Sequence, residues 1–159
     1  MYREYKMILF IYKFFKKKMS DKHIINTEWK GDLTFEADVD GHKVIMDTTV
    51  EAGGKNSGSS PKKLMLVALS GCTGMDVVST LKKMHVDIEK MIIEVQGDVA
   101  PEHPKRYTNM HVIYKFTGKS LPLNKLQKAV TMSEETYCGV EALYRMAIKV
   151  TSEIRIIDS

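Results

Sequence analysis

Residues 60–81 read SPKKLMLVALSGCTGMDVVSTL, and this stretch decides the fold. Ser60 can cap free backbone N–H groups and Pro61 is tolerated at a first helical position, so a helix is predicted to begin here. Its amphipathic stripe is an apolar repeat at three- and four-residue spacing, formed by Leu64, Ala68, Gly71, Met75, Val78 and Leu81. The two glycines in this helix, Gly71 and Gly74, cost about 1 kcal/mol each relative to alanine. We therefore expect another backbone to approach closely there, or a reactive group that needs the space.

Alternating apolar residues on both sides of this helix predict strands. Ahead of it, residues 27–39 are predicted as one strand, Asp40-Gly41 as a tight turn, residues 42–50 as a second strand and residues 52–60 as a loop. Behind it, strands are predicted at 91–99 and 110–116, and a second helix begins at Pro122. A break near Cys138, a short helical turn to residue 146 and a strand over 148–156 complete the chain. The order β-β-α-β-β-α-(α)-β is typical of an α+β fold.

Length and composition narrow the class of protein. The chain has 159 residues, of which 43% are hydrophobic and 28% are charged, as in an ordinary globular domain. Only two cysteines are present, which excludes both a disulfide framework and a four-cysteine metal site. No continuous apolar run reaches the roughly 18 residues of a membrane span.

The excess positive charge lies in the first 18 residues, MYREYKMILFIYKFFKKK. This segment has six basic residues against one acidic residue, whereas residues 19–159 have 18 against 19. The body therefore lacks the charge expected of a nucleic-acid binder. The segment is too short to span a bilayer and has no small-residue cleavage site, so we expect an extension from a mis-called start, with a membrane-surface anchor as the alternative. Residues 19–159 are predicted to form a single domain of a cytoplasmic protein without a membrane partner.

Cys72 and Cys138 are the candidate chemical groups, because each lies beside a glycine in a helical context. The alternative for each is packing, since a buried cysteine is commonly a small apolar filler. A pair in such small-residue surroundings favours redox or nucleophilic work, which requires the thiolate. Asp76 follows Cys72 by four residues on the same helical side and would raise a thiol pKa, so we expect it to be a polar-face or network residue.

Other chemistries lack their sequence patterns. The five histidines show no metal-ligand spacing, the glycines lack the spacing of phosphate loops, and there is no nucleophile elbow. Two cysteines and scattered histidines could assemble a site in space, but the sequence predicts none. We therefore expect no metal and no cofactor, and a cysteine hydrolase would have no identifiable base.

The segments around the two cysteines resemble a known family. SPKKL (60–64), ALSGC (68–72) and DVV (76–78) are similar to the first cysteine helix of the OsmC/Ohr family, and EETYCGV (134–140) is similar to its second cysteine motif. The intervening HPKRY (103–107) and the separation of 66 positions between the cysteines also suit it. The resemblance covers residues 26–157 and is closer to the OsmC-like branch. It implies an α+β fold in which a strongly curved antiparallel sheet wraps around long central helices, in an intertwined homodimer.

The same resemblance implies thiol-dependent reduction of small organic hydroperoxides. Cys72 would attack the peroxide oxygen as the thiolate and become a sulfenic acid, and Cys138 would condense with it to form a disulfide. A dithiol reductant would then restore both thiols. The partners implied are therefore a second copy of the chain, a hydroperoxide and a dithiol.

The sequence departs from the family's pattern at the residues that activate the thiol. Peroxidase members carry a glutamate where this chain has Lys62, and an arginine in the first hairpin region. No arginine lies between residues 4 and 105 here. Lys62, Lys63 and Arg106 are the candidates to supply positive potential instead. These departures leave a second hypothesis open: a small-ligand-binding or stress-associated protein of the same fold without efficient peroxide turnover.

Overall fold

The computed structural model describes residues 22–157, which divide between Gly58 and Ser59 into two compact units. The predicted extension at residues 1–18 lies outside the described residues. The single domain over residues 19–159 stays a prediction, and each unit is considered by itself below.

The first unit is an antiparallel sheet of three strands in the order β1 (Asn26–Trp29), β2 (Phe35–Val39) and β3 (His42–Met46). The prediction of a single strand over residues 27–39 is wrong, because a turn at Gly31-Asp32 divides it. Both turn residues have positive φ, 101° and 45°, a conformation that alternation of apolar residues does not reveal. The predicted turn at Asp40-Gly41 is confirmed, with φ values of 53° and 85°.

A buried carboxylate organises the loop that follows β3. Asp47 is 2% exposed and accepts hydrogen bonds from the backbone N–H groups of Thr48 (2.8 Å), Lys55 (3.1 Å) and Ser57 (3.0 Å). The Ser57 hydroxyl donates a fourth, at 2.6 Å. These bonds, led by the Ser57 hydroxyl, hold the pKa of Asp47 well below its usual range. The predicted loop is therefore tied to one charged side chain.

The second unit contains the long helix and the remaining strands. Helix α1 (Pro61–Lys83) begins where it was predicted, although the Ser60 side chain makes no capping bond. The elements that follow are β4 (Lys90–Val99), β5 (Tyr107–Thr117), α2 (Leu123–Met132), a π-helical segment (Ser133–Tyr137), α3 (Gly139–Arg145) and β6 (Lys149–Ile157). The α+β class is confirmed.

The second sheet has β5 at its centre, paired antiparallel with β4 and parallel with β6. The parallel pair differs from the antiparallel sheet that was predicted. Its cause is the connection: two helices between β5 and β6 carry the chain back to the starting edge, as parallel strands require. The strands within residues 22–157 thus lie in two sheets of three, and the homodimer stays a prediction.

Helix α1 buries one face in the second unit and leaves another exposed. Leu69 and Val77 are fully buried in the core, whereas Met75 is 71% exposed and Val67 is 58% exposed. Half of the predicted apolar stripe is exposed, namely Ala68, Gly71 and Met75, whereas Leu81 is buried in the core. By length and composition α1 could also cross a membrane, but core helices of soluble proteins have the same composition. An apolar helical face of this kind is typical of a surface that a partner covers.

The two glycines of α1 have different surroundings. A Cβ at Gly74 would lie 2.7 Å from the Ile93 side chain of β4, so this glycine permits close packing of the helix on the sheet. A Cβ at Gly71 would meet no atom of the described residues within 4 Å. The expected close approach is therefore found at Gly74, where the neighbour is a strand rather than a helix.

Candidate functional site

The structure brings the two cysteines together despite their separation in sequence. Cys72 lies in the middle of α1, and Cys138 lies between the π-helical segment and α3. Their sulfur atoms and a carboxylate oxygen of Asp76 all lie within 4.8 Å of one another. Both thiols are free. The site thus holds a thiol pair with one carboxylate beside it.

The two thiols differ in exposure. Cys72 is half-buried, whereas Cys138 is 3% exposed. Burial, assisted by a hydrogen bond with Cys72, raises the pKa of Cys138 to about 12, although the backbone N–H of Glu141 lowers it (3.4 Å to Sγ). Burial therefore favours the protonated thiol at Cys138.

A chain of buried hydroxyl groups ends at Asp76. Ser133 Oγ donates to Asp76 Oδ2 at 3.1 Å, and Thr73 Oγ1 lies 3.0 Å from Ser133 Oγ and 2.5 Å from the Tyr114 hydroxyl. Each hydroxyl donates one proton, and the Ser133 proton goes to Asp76. The direction of donation is therefore Tyr114 to Thr73 to Ser133 to Asp76. This hydroxyl chain joins β5, α1 and the π-helical segment, and the expectation that Asp76 is a network residue is confirmed.

The π-helical segment places two members of the site. It carries Ser133 at its start and ends immediately before Cys138, whose backbone is extended (φ −74°, ψ 96°). Such segments insert an extra residue per turn and are frequent at functional sites. A break was predicted near Cys138, but the sequence does not distinguish a π segment from an ordinary helix end.

An arginine–carboxylate cluster lies beside Cys138, and sequence reasoning missed it. Arg145 Nη2 lies 2.7 Å from Glu141 Oε1 and 3.5 Å from Glu134 Oε2. Glu141 is only 1% exposed, and burial raises its pKa while Arg145 lowers it. The sequence pattern that could have indicated this cluster is the position of Glu141, three residues after Cys138 and four before Arg145 on one helical face.

Of the three cations predicted to act on the thiols, two line a cavity and the third is exposed to solvent. Lys62 and Arg106 line a cavity of about 490 Å³, and Lys62 Nζ donates to the Lys105 carbonyl oxygen (3.1 Å). Lys63 is exposed on α1. The walls of the cavity are mostly apolar and are completed by Met65, Tyr107, Met110, Leu143, Tyr144, Ala147 and Ile148. A second cavity, of about 310 Å³, is lined by Asp76 together with Ser79, Thr80, Lys83 and Tyr137.

Comparisons with known proteins agree with this architecture. A family model described as OsmC-like protein matches residues 54–153. Protein YhfA of Escherichia coli (strain K12) is 29% identical over 134 residues, which cover 82% of this chain and 95% of YhfA.

Solved structures share the fold as well. A hypothetical protein from Aquifex aeolicus VF5 is 27% identical with a TM-score of 0.73, over 87% of this chain and 99% of that one. An organic hydroperoxide resistance protein OsmC from Legionella pneumophila is 16% identical with a TM-score of 0.62, over 87% of this chain and 99% of that one.

Proposed function

Because the chain belongs to the OsmC-like protein family, we propose that it reduces small organic hydroperoxides with Cys72 and Cys138 as a redox pair. The observation that carries this proposal is the approach of the two sulfur atoms to within 4.8 Å. Two thiols this close need only modest adjustment to reach the S–S bond length of about 2.05 Å. Relatives of the same fold that are named for hydroperoxide resistance support the substrate class.

Cys72 is the thiol that meets the peroxide, because it is the more exposed of the two. Its thiolate attacks the outer oxygen, the O–O bond breaks, and the leaving alkoxide takes a proton to become the alcohol. The neighbouring Cys138 thiol, whose sulfur lies within 4.8 Å of Cys72, supplies that proton. Cys72 is left as a sulfenic acid and Cys138 as a thiolate.

Cys138 then resolves the sulfenic acid. Its thiolate attacks the Cys72 sulfur, the S–O bond breaks, and the departing hydroxide is protonated to water. Two thiols and one hydroperoxide thereby give a disulfide, an alcohol and water. The extended backbone of Cys138 lies between two helical segments, where a small dihedral change moves its sulfur without breaking either. An external dithiol restores both thiols by exchange and becomes a disulfide itself.

The surroundings of the thiol pair predict a slow peroxidase. A neighbouring cation favours a reactive thiolate, whereas the side chain that lies within 4.8 Å of both sulfurs here is Asp76. Arg145 is engaged by two carboxylates. Lys62, Lys63 and Arg106 stay the candidates for raising the local positive potential.

A second candidate function is binding of a small ligand without turnover. The cavity lined by Lys62 and Arg106 favours it, because mostly apolar walls with two cations suit an apolar molecule that carries an anionic group. Binding of an anionic naphthalene dye that weakens in Arg106→Ala but persists in Cys72→Ser would support this function.

The exposed face of α1 supports the proposal of a homodimer. Ser70, Gly71, Met75 and Val78 line a shallow apolar depression there, next to Met91 and Ile93 of β4. A second copy of this face would bury that surface and use the space that Gly71 leaves open. We place the dimer in the cytoplasm.

The test of the proposed function is peroxide consumption by thiol variants. Cys72→Ser should abolish it, whereas Cys138→Ser should react once and leave an oxidised Cys72 open to further oxidation. Intact-mass spectra after peroxide treatment assign the order. Added oxygen on Cys72→Ser but not on Cys138→Ser would reverse the roles.

A further inference from the structure

We propose that the reduced site of Cys72, Cys138 and Asp76 binds one Zn²⁺ ion, with one coordination position left open. The inference depends on the geometry and chemistry of the ligand atoms. Two sulfurs and a carboxylate oxygen from two separate segments converge within 4.8 Å. Thiolate and carboxylate together are ligands that zinc accepts.

The distances suit a tetrahedral ion after a small contraction. Zn–S bonds of about 2.3 Å place two sulfurs of a tetrahedral site about 3.8 Å apart. The two sulfurs therefore need to close by about 1 Å at most, and each sulfur–oxygen pair, about 3.5 Å apart in such a site, by about 1.3 Å at most. Cys72 and Asp76 lie one turn apart on α1, so they already face the same side, and only Cys138 must move from another element.

The Asp76 carboxylate also accepts a hydrogen bond from a neighbouring side chain, as metal-binding carboxylates commonly do. Ser133 donates to Asp76 Oδ2 (3.1 Å) and is itself held by Thr73. Outer hydrogen bonds of this kind orient a ligand, and their loss typically weakens metal binding about 10-fold to 100-fold. The other Asp76 oxygen is left for an ion.

An ion can reach the site from solvent. Asp76 lines the cavity of about 310 Å³ on one side of the cluster, and Cys72 is half-buried. Lys83 also lines this cavity. Binding replaces two thiol protons by one Zn²⁺, so the bound site carries two thiolates and one carboxylate against two positive charges, for a net charge of −1. The fourth position is open to water or to another small ligand.

Zinc binding and disulfide formation use the same two sulfurs and exclude each other. Oxidation of the pair removes two of the three ligands, so the disulfide form should release the ion. This inference does not rest on peroxide reduction, because any thiol oxidant suffices to test it. Metal-free protein is used separately for peroxide assays, so either proposal can fail without the other.

The experiment titrates reduced, tag-free full-length protein with Co²⁺ and then with Zn²⁺. A near-ultraviolet thiolate-to-cobalt band that saturates at one ion per chain, and that Zn²⁺ abolishes, is expected. Asp76→Asn and Ser133→Ala should each weaken Zn²⁺ binding about 10-fold or more, whereas Asp87→Asn, an exposed carboxylate after α1, should leave it unchanged.

Oxidation of the wild-type protein tests the zinc site without a variant that could fail to fold. Wild-type protein oxidised with diamide should lose Zn²⁺ binding and regain it after a phosphine reductant. The proposal is overturned if reduced protein gives no thiolate-to-cobalt band, if the oxidised form binds Zn²⁺ equally well, or if Asp76→Asn and Asp87→Asn bind alike.

Discussion

Thr73→Val breaks the hydroxyl chain at its centre with little change in shape. Thr73 and Tyr114 are both fully buried, and Thr73 makes contacts of 2.5 Å to Tyr114 and 3.0 Å to Ser133. Valine removes both bonds and leaves the Tyr114 hydroxyl without its acceptor. An orphaned buried donor costs about 1–3 kcal/mol and a lost neutral bond about 1 kcal/mol, so we expect the free energy of unfolding to fall by about 2–4 kcal/mol.

The assay is urea unfolding at fixed protein concentration, where this loss corresponds to a midpoint lower by about 1 M or more. The matched control is Thr80→Val, a buried threonine on the same helix that takes no part in the hydroxyl chain. Tyr114→Phe should cost little further in the Thr73→Val background, because both partners are then apolar; the coupling should be about 1–2 kcal/mol. Equal losses in Thr73→Val and Thr80→Val, or strictly additive effects in the cycle, would refute the chain as a stabilising unit.

Three further predictions follow from other parts of the molecule. Asp47→Asn should lower the melting temperature at pH 7, and the difference from wild type should shrink as the pH falls below about 4. The pKa of Asp47 is lower in the folded than in the unfolded protein, so its charge stabilises the fold above the unfolded-state pKa, and this stabilisation is lost as the pH falls towards the folded-state pKa. A difference in melting temperature that does not depend on pH would contradict this reasoning. Gly71→Leu should shift the mass measured by light scattering from dimer to monomer without loss of helix, since its Cβ meets nothing within 4 Å in the protomer; an unchanged dimer places the interface elsewhere. Iodoacetamide at pH 8 should alkylate Cys72 in the Cys138→Ser variant much faster than it alkylates Cys138 in the Cys72→Ser variant, because burial keeps the pKa of Cys138 near 12. Equal alkylation rates would contradict the different exposure of the two thiols.

The sequence predicted the elements whose patterns are local. Pro61 marks the start of α1, Asp40-Gly41 marks a turn with positive φ, and alternating apolar residues mark β4 and β5. The turn at Gly31-Asp32 was missed because apolar residues keep odd positions across it. The parallel pairing of β5 with β6 is set by the path of two helices in space, which no local pattern encodes.

The candidate site was predictable in part. Small residues around Cys72 and Cys138, together with the family resemblance, identified the thiols. Sequence spacing placed Asp76 near Cys72, but its bond to Ser133 depends on the π-helical segment, whose register the sequence does not reveal. Lys62 and Arg106 meet around a cavity because β5 begins beside the first turn of α1, a tertiary relation. The sequence thus identified the reactive side chains, whereas their arrangement in space depends on tertiary contacts that the sequence does not reveal.

The proposed function requires that an organic hydroperoxide oxidises Cys72 and Cys138 to a disulfide. The most direct test is to count the free thiols in reduced, metal-free protein before and after one equivalent of an organic hydroperoxide, with the intact mass recorded in parallel. We expect two free thiols per chain beforehand and none afterwards, with the mass lower by two hydrogens and both restored by a dithiol. Two thiols still free and an unchanged mass would contradict the peroxidase function and leave ligand binding as the candidate.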